Sequence, residues 1–379
     1  MTRDNVKTFF DRDIVVGGNN EKNLTISSSD DIYIRALPLS KLSIIRMAPL
    51  YSIKLLRSHS FFVRRDFMFD THHDLLSICF LSSKYKSFNY LEKMKKTINS
   101  NNIVGVFCNL YFMNSEEMEE EFKIKAKEIN VLSMFQESKK MYDNHFSCPS
   151  LYSIEGCDYI KGEEELEQLY KAGLDAFLLV WNNKNSYGSG NRSDSGLTEK
   201  GKNFLRKGIE LGMGIDLSHA NQKTFFDMIE VIKEEQKKGK EVICYASHSN
   251  SYELCPHKRN LTKEQLLALK EVGGMIGLVS YPEFVGNKNR SKYIEHIKYM
   301  VDIFGIDKVM VSSDNMNFVS IIDSKDNEEH GIYNYDTIAT ELKEDLLSVF
   351  SLEDTEKIME KNAKKIYDRI KERRKNVRY

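Results

Sequence analysis

A (β/α)8 TIM-type barrel with an N-terminal extension is the fold this sequence predicts, on three observations. Eight short apolar runs recur from residue 66 onward. Charged amphipathic stretches, with apolar residues three or four apart, separate them. The polar residues that interrupt the apolar pattern gather at the ends of the runs, which is where barrels of this class carry their functional groups.

The runs are Phe67 to His72, Ile103 to Leu110, Ser150 to Glu155, Ala176 to Trp181, Gly214 to His219, Val242 to His248, Met275 to Ser280 and Val309 to Asp314. Helical patterns between them include Glu163 to Lys171, Lys200 to Glu210, Lys223 to Lys237 and Thr262 to Val272. Gly212 and Gly273 stand where a helix must stop before the next strand. Eight such alternations in one region of about 300 residues fit a closed barrel better than an open doubly wound sheet. The barrel domain is therefore placed at residues 66–379. Residues 1–65 lack the rhythm and form an extension of unknown role. Ile14 to Val16 and Ile32 to Leu37 read as strands of a small cap, with Gly17, Gly18, Asn19 and Asn20 as the turn between them. Covering the barrel and recognising a partner are both open roles for this leader.

Hydrophobic residues make up 41% and aromatics 11% of the 379 residues, too apolar for a disordered chain. The 55 basic and 56 acidic side chains nearly cancel, so no broad field for nucleic acid exists, and Lys237, Lys238 and Lys240 read as a solvated helix end. The six cysteines are scattered without a C-x-x-C pair, which favours reduced thiols. The first thirteen residues lack a signal-peptide core, and no run reaches the roughly 18 apolar residues that span a bilayer. The segment Ala36 to Leu56 is interrupted by Lys41, Arg46 and Lys54, so it reads as a packing or partner-binding surface with no membrane anchor. The expected compartment is the cytoplasm.

Five of the eight runs end in unusual polar residues: Asp70-Thr71-His72-His73-Asp74, Glu155-Gly156, Ser218-His219, Ser247-His248 and Ser313-Asp314. On a strand of period two, His72 and Asp74 share a face and His73 takes the other, although an H-x-D pair by itself reads as structural sooner than as a metal site. His219 and His248 lie in matching contexts on neighbouring strands, so their imidazoles reach the rim at equal height, where ligation becomes the better reading than two core histidines. Glu155 can bridge, because a carboxylate offers one oxygen to each of two ions about 3.5–4 Å apart. His72, Asp74 and Glu155 then hold one ion, and Glu155, His219 and His248 hold the other. Two divalent ions offset the mutual repulsion of Asp74, Glu155 and Asp314. Imidazole with carboxylate suits Zn2+ best, with manganese or cobalt able to take the same places.

The segments DTHHDL (Asp70 to Leu75), Glu155-Gly156, Asn182 with its glycine-rich loop, Gly196-Leu197-Thr198, GIDLSH (Gly214 to His219), SHSN (Ser247 to Asn250), HKRN (His257 to Asn260) and Ser313-Asp314 together resemble the membrane (renal) dipeptidase family, from about residue 66 to 370. The resemblance implies a two-zinc dipeptidase of low side-chain selectivity, one whose relatives accept D-residues at the C-terminal position and open β-lactam-like rings. It implies zinc ligands at His72, Asp74, Glu155, His219 and His248, a catalytic carboxylate at Asp314, and Arg259 as the grip on the substrate's free carboxylate. Three departures stand out. Val180-Trp181-Asn182 replaces the T-H-N sequence of many members, Asn315-Met316-Asn317 replaces F-D-G, and the leader has no family counterpart.

The expected function is hydrolysis of the amide bond of dipeptides by a metal-bridging hydroxide, with Asp314 shuttling the proton and Arg259 selecting short substrates. Trp181, Asn182 and Tyr281 are expected to line the substrate pocket, with rim packing the alternative for Tyr281. The expected partner is a small peptide; a homodimer is an open assembly. Two rival readings remain: a dinuclear hydrolase of another small amide, modified peptide, lactam or lactone, and an inactive metal-loaded binding protein.

Overall fold

A computed structural model describes residues 14–20, 23–28, 67–100, 102–315, 321 and 331–376. The chain divides into two units, Met1–Arg65 and Asp66–Tyr379. In the first, β1 (Ile14–Asn20) pairs antiparallel with β2 (Asn23–Ser28). Gly17 to Asn20 are thus strand and not the expected turn: the ladder holds Gly17 against Thr25 and Asn20 against Asn23, with an irregularity between them. Ile32 to Leu37 and Ala36 to Leu56 lie outside the described residues, as do Met316 and Asn317.

In the second unit, eight parallel strands follow one another in sequence order: β3 (Met68–His73), β4 (Ile103–Tyr111), β5 (Ser150–Glu155), β6 (Ala176–Leu178), β7 (Gly214–Asp216), β8 (Ile243–Ala246), β9 (Met275–Val279) and β10 (Val309–Ser312). The sheet closes where β10 meets β3: Thr71 Oγ1 donates to the Val311 carbonyl at 3.0 Å, Asp314 N donates to the His72 carbonyl at 3.1 Å, and His73 bridges Asn315 in parallel. Eight parallel strands with helices between them make the expected (β/α)8 barrel.

From β6 onward the strands end earlier than their apolar runs. Asp216 Oδ1 takes the amides of Ser218 and Ser247, and Asp70 Oδ1 takes those of His72 and Ser313, so buried carboxylates stand in for ladder carbonyls at the rim. The four expected helices are present at Glu163–Ala172, Glu199–Glu210, Gln222–Lys237 and Lys263–Glu271. Thr198, Asn221 and Thr262 cap the last three through their side chains. Gly212 and Gly273 adopt φ of 76° and 79°, the left-handed conformation that lets a helix turn into a strand. The helix Leu75–Tyr85 escapes the pattern because eight of its residues, from Leu75 to Ser83, are buried and leave no polar stripe.

The barrel interior is a core of its own. Phe69, Phe107, Leu151, Ala176, Ile243, Tyr245, Met275 and Met310 fill its lower layers, and Ala363, Ile366 and Ile370 of the closing helix Asn362–Asn376 plug that end. Gly214 makes room, since a Cβ there would lie 2.7 Å from Ile370 Cδ1. The helix is held by Asp175, a fully buried carboxylate that accepts from Lys371 Nζ at 2.6 Å, Arg374 Nε at 3.0 Å and Tyr152 N at 3.0 Å. No helix among the described residues is long and apolar enough to cross a membrane.

Asp175→Ala strips two charged donors and one backbone amide of their acceptor. It is expected to lower stability by about 1–3 kcal/mol, the scale for orphaning such a group, read as an earlier urea midpoint. An unchanged midpoint would show that the apolar plug alone docks the helix.

Candidate active site at the barrel rim

The structure brings His72, Asp74, Glu155, His219, His248 and Asp314 together at the C-terminal rim, although strand alternation is not the reason for His72. Phe69 and Thr71 face the interior, so strict alternation would send His72 outward. The β3–β4 register shifts between Asp70 and His73, and this irregularity turns His72 inward while His73 packs against Tyr335 and Asn315. Asp74 lies beyond the strand, at the head of the helix Leu75–Tyr85. On β5 alternation does hold: Leu151 enters the interior core and Glu155, four residues on, reaches the site. The equal height of His219 and His248 follows from register, since Asp216 pairs with Tyr245 and each histidine stands three residues further along. His219 and Asp314 have φ of 66° and 50°, left-handed conformations uncommon for side chains other than glycine. Such backbone costs about 1–3 kcal/mol and persists where surrounding contacts fix it.

Glu155 is the centre of the cluster. Its Oε2 lies 3.0 Å from His72 Nε2, and its Oε1 lies 2.9 Å from His219 Nε2 and 3.6 Å from His248 Nε2. His72 Nε2 is also 3.9 Å from Asp74 Oδ1 and 3.7 Å from Asp314 Oδ1. Burial alone would lower the His72 pKa, but the Glu155 charge and hydrogen bond, with Asp314 and Asp74, raise it to about 10. Burial, then Arg259, lower His219 to about 3, and burial, then His72, hold His248 well below its usual value. Burial raises Asp74, with Glu155 adding to the rise, and burial raises Asp314. For Glu155, burial opposes ionisation but the His72 charge and the imidazole hydrogen bonds outweigh it, so its carboxylate stays ionised.

This donor set fits divalent cations. His219 Nδ1 lies 3.0 Å from Asn182 Oδ1, an acceptor, so the proton sits on Nδ1 and Nε2 presents a lone pair. His219 Nε2 and His248 Nε2 face each other at 2.9 Å, and Asp74 Oδ1 is buried without a hydrogen-bond partner. Lone pairs converging among buried side chains are relieved by a positive ion. Three sets each place their ligand atoms within 4.8 Å of one another: His72, Asp74 and Glu155; Glu155, His219 and His248; and His72, His248 and Asp314. Asp314, read from sequence as a proton carrier, thus also stands within ligand reach.

The cluster opens into a cavity of about 540 Å³ whose lining includes Trp181, Asn182, Arg259, Tyr281 and Asp314. Arg259 is buried and pairs with no carboxylate among the described residues. One nitrogen donates to Ser249 Oγ at 2.9 Å, another to the His248 carbonyl at 2.7 Å, and Nε is without a partner. The fork is thereby held in place with donors to spare. Trp181 meets Tyr111 edge-on at 5.0 Å, and the Arg192 guanidinium lies 5.4 Å from its ring. Tyr281 packs on Phe284 at 4.9 Å. Asn182, expected to touch substrate, has its side-chain oxygen on His219.

Sequence reasoning missed the supports beneath the ligands. Asn109 Nδ2 sits 3.0 Å from His72 Nδ1, and Ser247 Oγ lies 3.3 Å from His72 Nδ1 and 2.6 Å from His248 Nδ1. The signal for Asn109 was available, as a lone amide between inward-facing Phe107 and Tyr111 on an apolar strand.

A buried carboxylate–imidazole cluster at the C-terminal rim of a (β/α)8 barrel defines a protein of the metallohydrolase class. Residues 68–378 match the membrane dipeptidase family (peptidase family M19), and the chain belongs to that family. It is similar to an uncharacterized protein in the PQQ-III 3' region of Acinetobacter calcoaceticus, at 30% identity over 41% of this chain and 56% of that protein. It is also similar to an uncharacterized protein in the pqqA 5' region of Klebsiella pneumoniae, at 33% identity over 42% of this chain and 62% of that protein. The chain thus spans less than two thirds of each relative's length. A solved metallo peptidase from Rhodobacter sphaeroides, liganded with a phosphinate mimic of the dipeptide L-Ala-D-Ala, shares the fold with a TM-score of 0.61 and 18% identity, covering 80% of this chain and 99% of that one.

Ligation requires a neutral imidazole, and the metal-free protein holds His72 protonated up to about pH 10. Metal uptake at neutral pH should therefore expel at least one proton per chain, and affinity should climb as pH rises toward that value. Calorimetric titration of metal-stripped protein in buffers of different ionisation enthalpy reads this directly. Uptake without proton release would mean that His72 is already neutral.

Proposed function

We propose that this chain is a zinc-dependent dipeptidase. The observation that carries the reading is Glu155, whose two oxygens divide between His72 on one side and the His219–His248 pair on the other. His72, Asp74 and Glu155 would hold one Zn2+, and Glu155, His219 and His248 a second. When bound, the ions would polarise the scissile carbonyl and acidify a water molecule.

The chain's own groups do the rest. Asp314, at the cavity wall with a pKa raised by burial, accepts the proton of the attacking water and returns it to the leaving amine as the C–N bond breaks. Asn182 keeps the His219 proton on Nδ1. Arg259 receives the free C-terminal carboxylate through the donors that its loop leaves unused, and a longer peptide has no charge at that depth. The mimic bound by the Rhodobacter relative puts L,D as well as L,L dipeptides among the substrates to test. The test is hydrolysis by the full chain, loaded with two equivalents of zinc, of an L,L and L,D dipeptide panel; no turnover of any member would reject the reading.

Asp314→Asn keeps the shape and removes the proton acceptor. Expected are two bound ions by elemental analysis, with kcat down by roughly 10² to 10⁴ and a smaller change in KM. Loss of an ion would instead make Asp314 a ligand. Arg259→Ala should depress kcat/KM on free dipeptides and leave C-terminally amidated ones nearly unchanged. Equal losses on both would remove the carboxylate clamp.

A further inference from the structure

We propose that Ser247 is a positioning residue shared by the two halves of the metal site, its single hydroxyl accepting the Nδ1–H of both His72 and His248. The inference rests on the two-ion reading above and goes beyond it by coupling the two ions through one side chain.

The argument starts from proton inventory. An imidazole that binds an ion through Nε2 keeps its proton on Nδ1, and in a buried site that N–H needs an acceptor. His219 has one of its own in Asn182 Oδ1. His72 and His248 do not. Their rings lie against each other, with centroids 3.7 Å apart, and Ser247 Oγ stands at 3.3 Å from one Nδ1 and 2.6 Å from the other. Asn109 also approaches His72 Nδ1, but through its amide nitrogen, which donates; its oxygen is buried without a partner. An N–H cannot donate to an N–H, so the acceptor in reach is Ser247.

A serine oxygen has two lone pairs and one proton, enough to accept twice and donate once. The residue's backbone is anchored as well, since the Ser247 amide donates to Asp216 Oδ1 at 3.1 Å. The residue is also fixed in space: its carbonyl accepts from Thr71 Oγ1 at 2.7 Å, its side chain is buried, and Gly277 has no room for a Cβ, which would lie 2.1 Å from the Ser247 carbonyl oxygen. One hydroxyl thus sets the tautomer of a ligand to each ion.

The test is titration of the metal-stripped full chain with Co2+, reading both affinities by calorimetry and the ligand-field absorption of the loaded protein. Wild type is expected to bind two ions. Ser247→Ala is expected to weaken both by about ten- to hundredfold, the scale for losing a support behind a ligating histidine, and to shift the cobalt bands. Ser247→Thr, which keeps the oxygen, is expected to restore both affinities. Undiminished binding of both ions by Ser247→Ala would overturn the proposal, as would weakening of one alone. Failure of Ser247→Thr to rescue an impaired Ser247→Ala would also overturn it, because the loss would then be one of packing. If wild type itself bound fewer than two ions, the two-ion reading would fall and this inference with it.

Discussion

Three carboxylates, Asp74, Glu155 and Asp314, are held around one buried imidazole, and the architecture of the rim answers to their repulsion. In the metal-free protein His72 takes up a proton and Arg259 stands nearby, while burial raises the pKa of Asp74 and of Asp314. The crowding of these carboxylates suits the pocket to cations. It also explains why the approaching backbones are tied so firmly, with Asp70 and Asp216 each seizing two amides at the strand ends. A cluster that repels itself keeps its geometry only if the surrounding scaffold does not yield.

The scaffold is built in two storeys. Below, apolar side chains from seven strands and the closing helix fill the barrel. Above them comes a polar layer of Thr71, Asn109, Asp216 and Ser247, and only then the ligands. Each member of the middle layer meets either a backbone group or the Nδ1 of a rim histidine. The order converts a rigid packed core into directional hydrogen bonds, and those into the aim of the Nε2 atoms.

The sequence made the eight strands legible because a parallel barrel buries both faces of each, leaving continuous apolar runs. It made the clustered rim residues legible because a histidine or carboxylate at the end of such a run has little packing reason to be there. The strands from β6 onward are shorter than their apolar runs, since apolarity continues into the rim; after β7 and β8 the amides of Ser218 and Ser247 pair with Asp216 instead of a neighbouring strand. The inward turn of His72 could not be derived, because it depends on a ladder irregularity that no local pattern announces. The contact of Asn182 with His219 was not legible, because it joins residues far apart in sequence; Asn182 also lines the cavity, as expected. The hairpin in the leader shows the opposite limit, with Gly17 to Asn20 keeping strand pairing despite a composition that suits a turn.

The plug formed by Ala363, Ile366 and Ile370 has a consequence for how the chain reaches its native state. Phe69, on the first barrel strand, and these residues of the last helix belong to the same interior cluster, so that cluster closes only after nearly the whole barrel sequence is present. Partial assemblies leave the lower mouth open and its aromatic floor wet. Contacts of such long sequence separation demand large loop closures before they return any stabilisation, which slows folding. A barrel lacking its final helix would leave Phe69 and Phe107 without that cover.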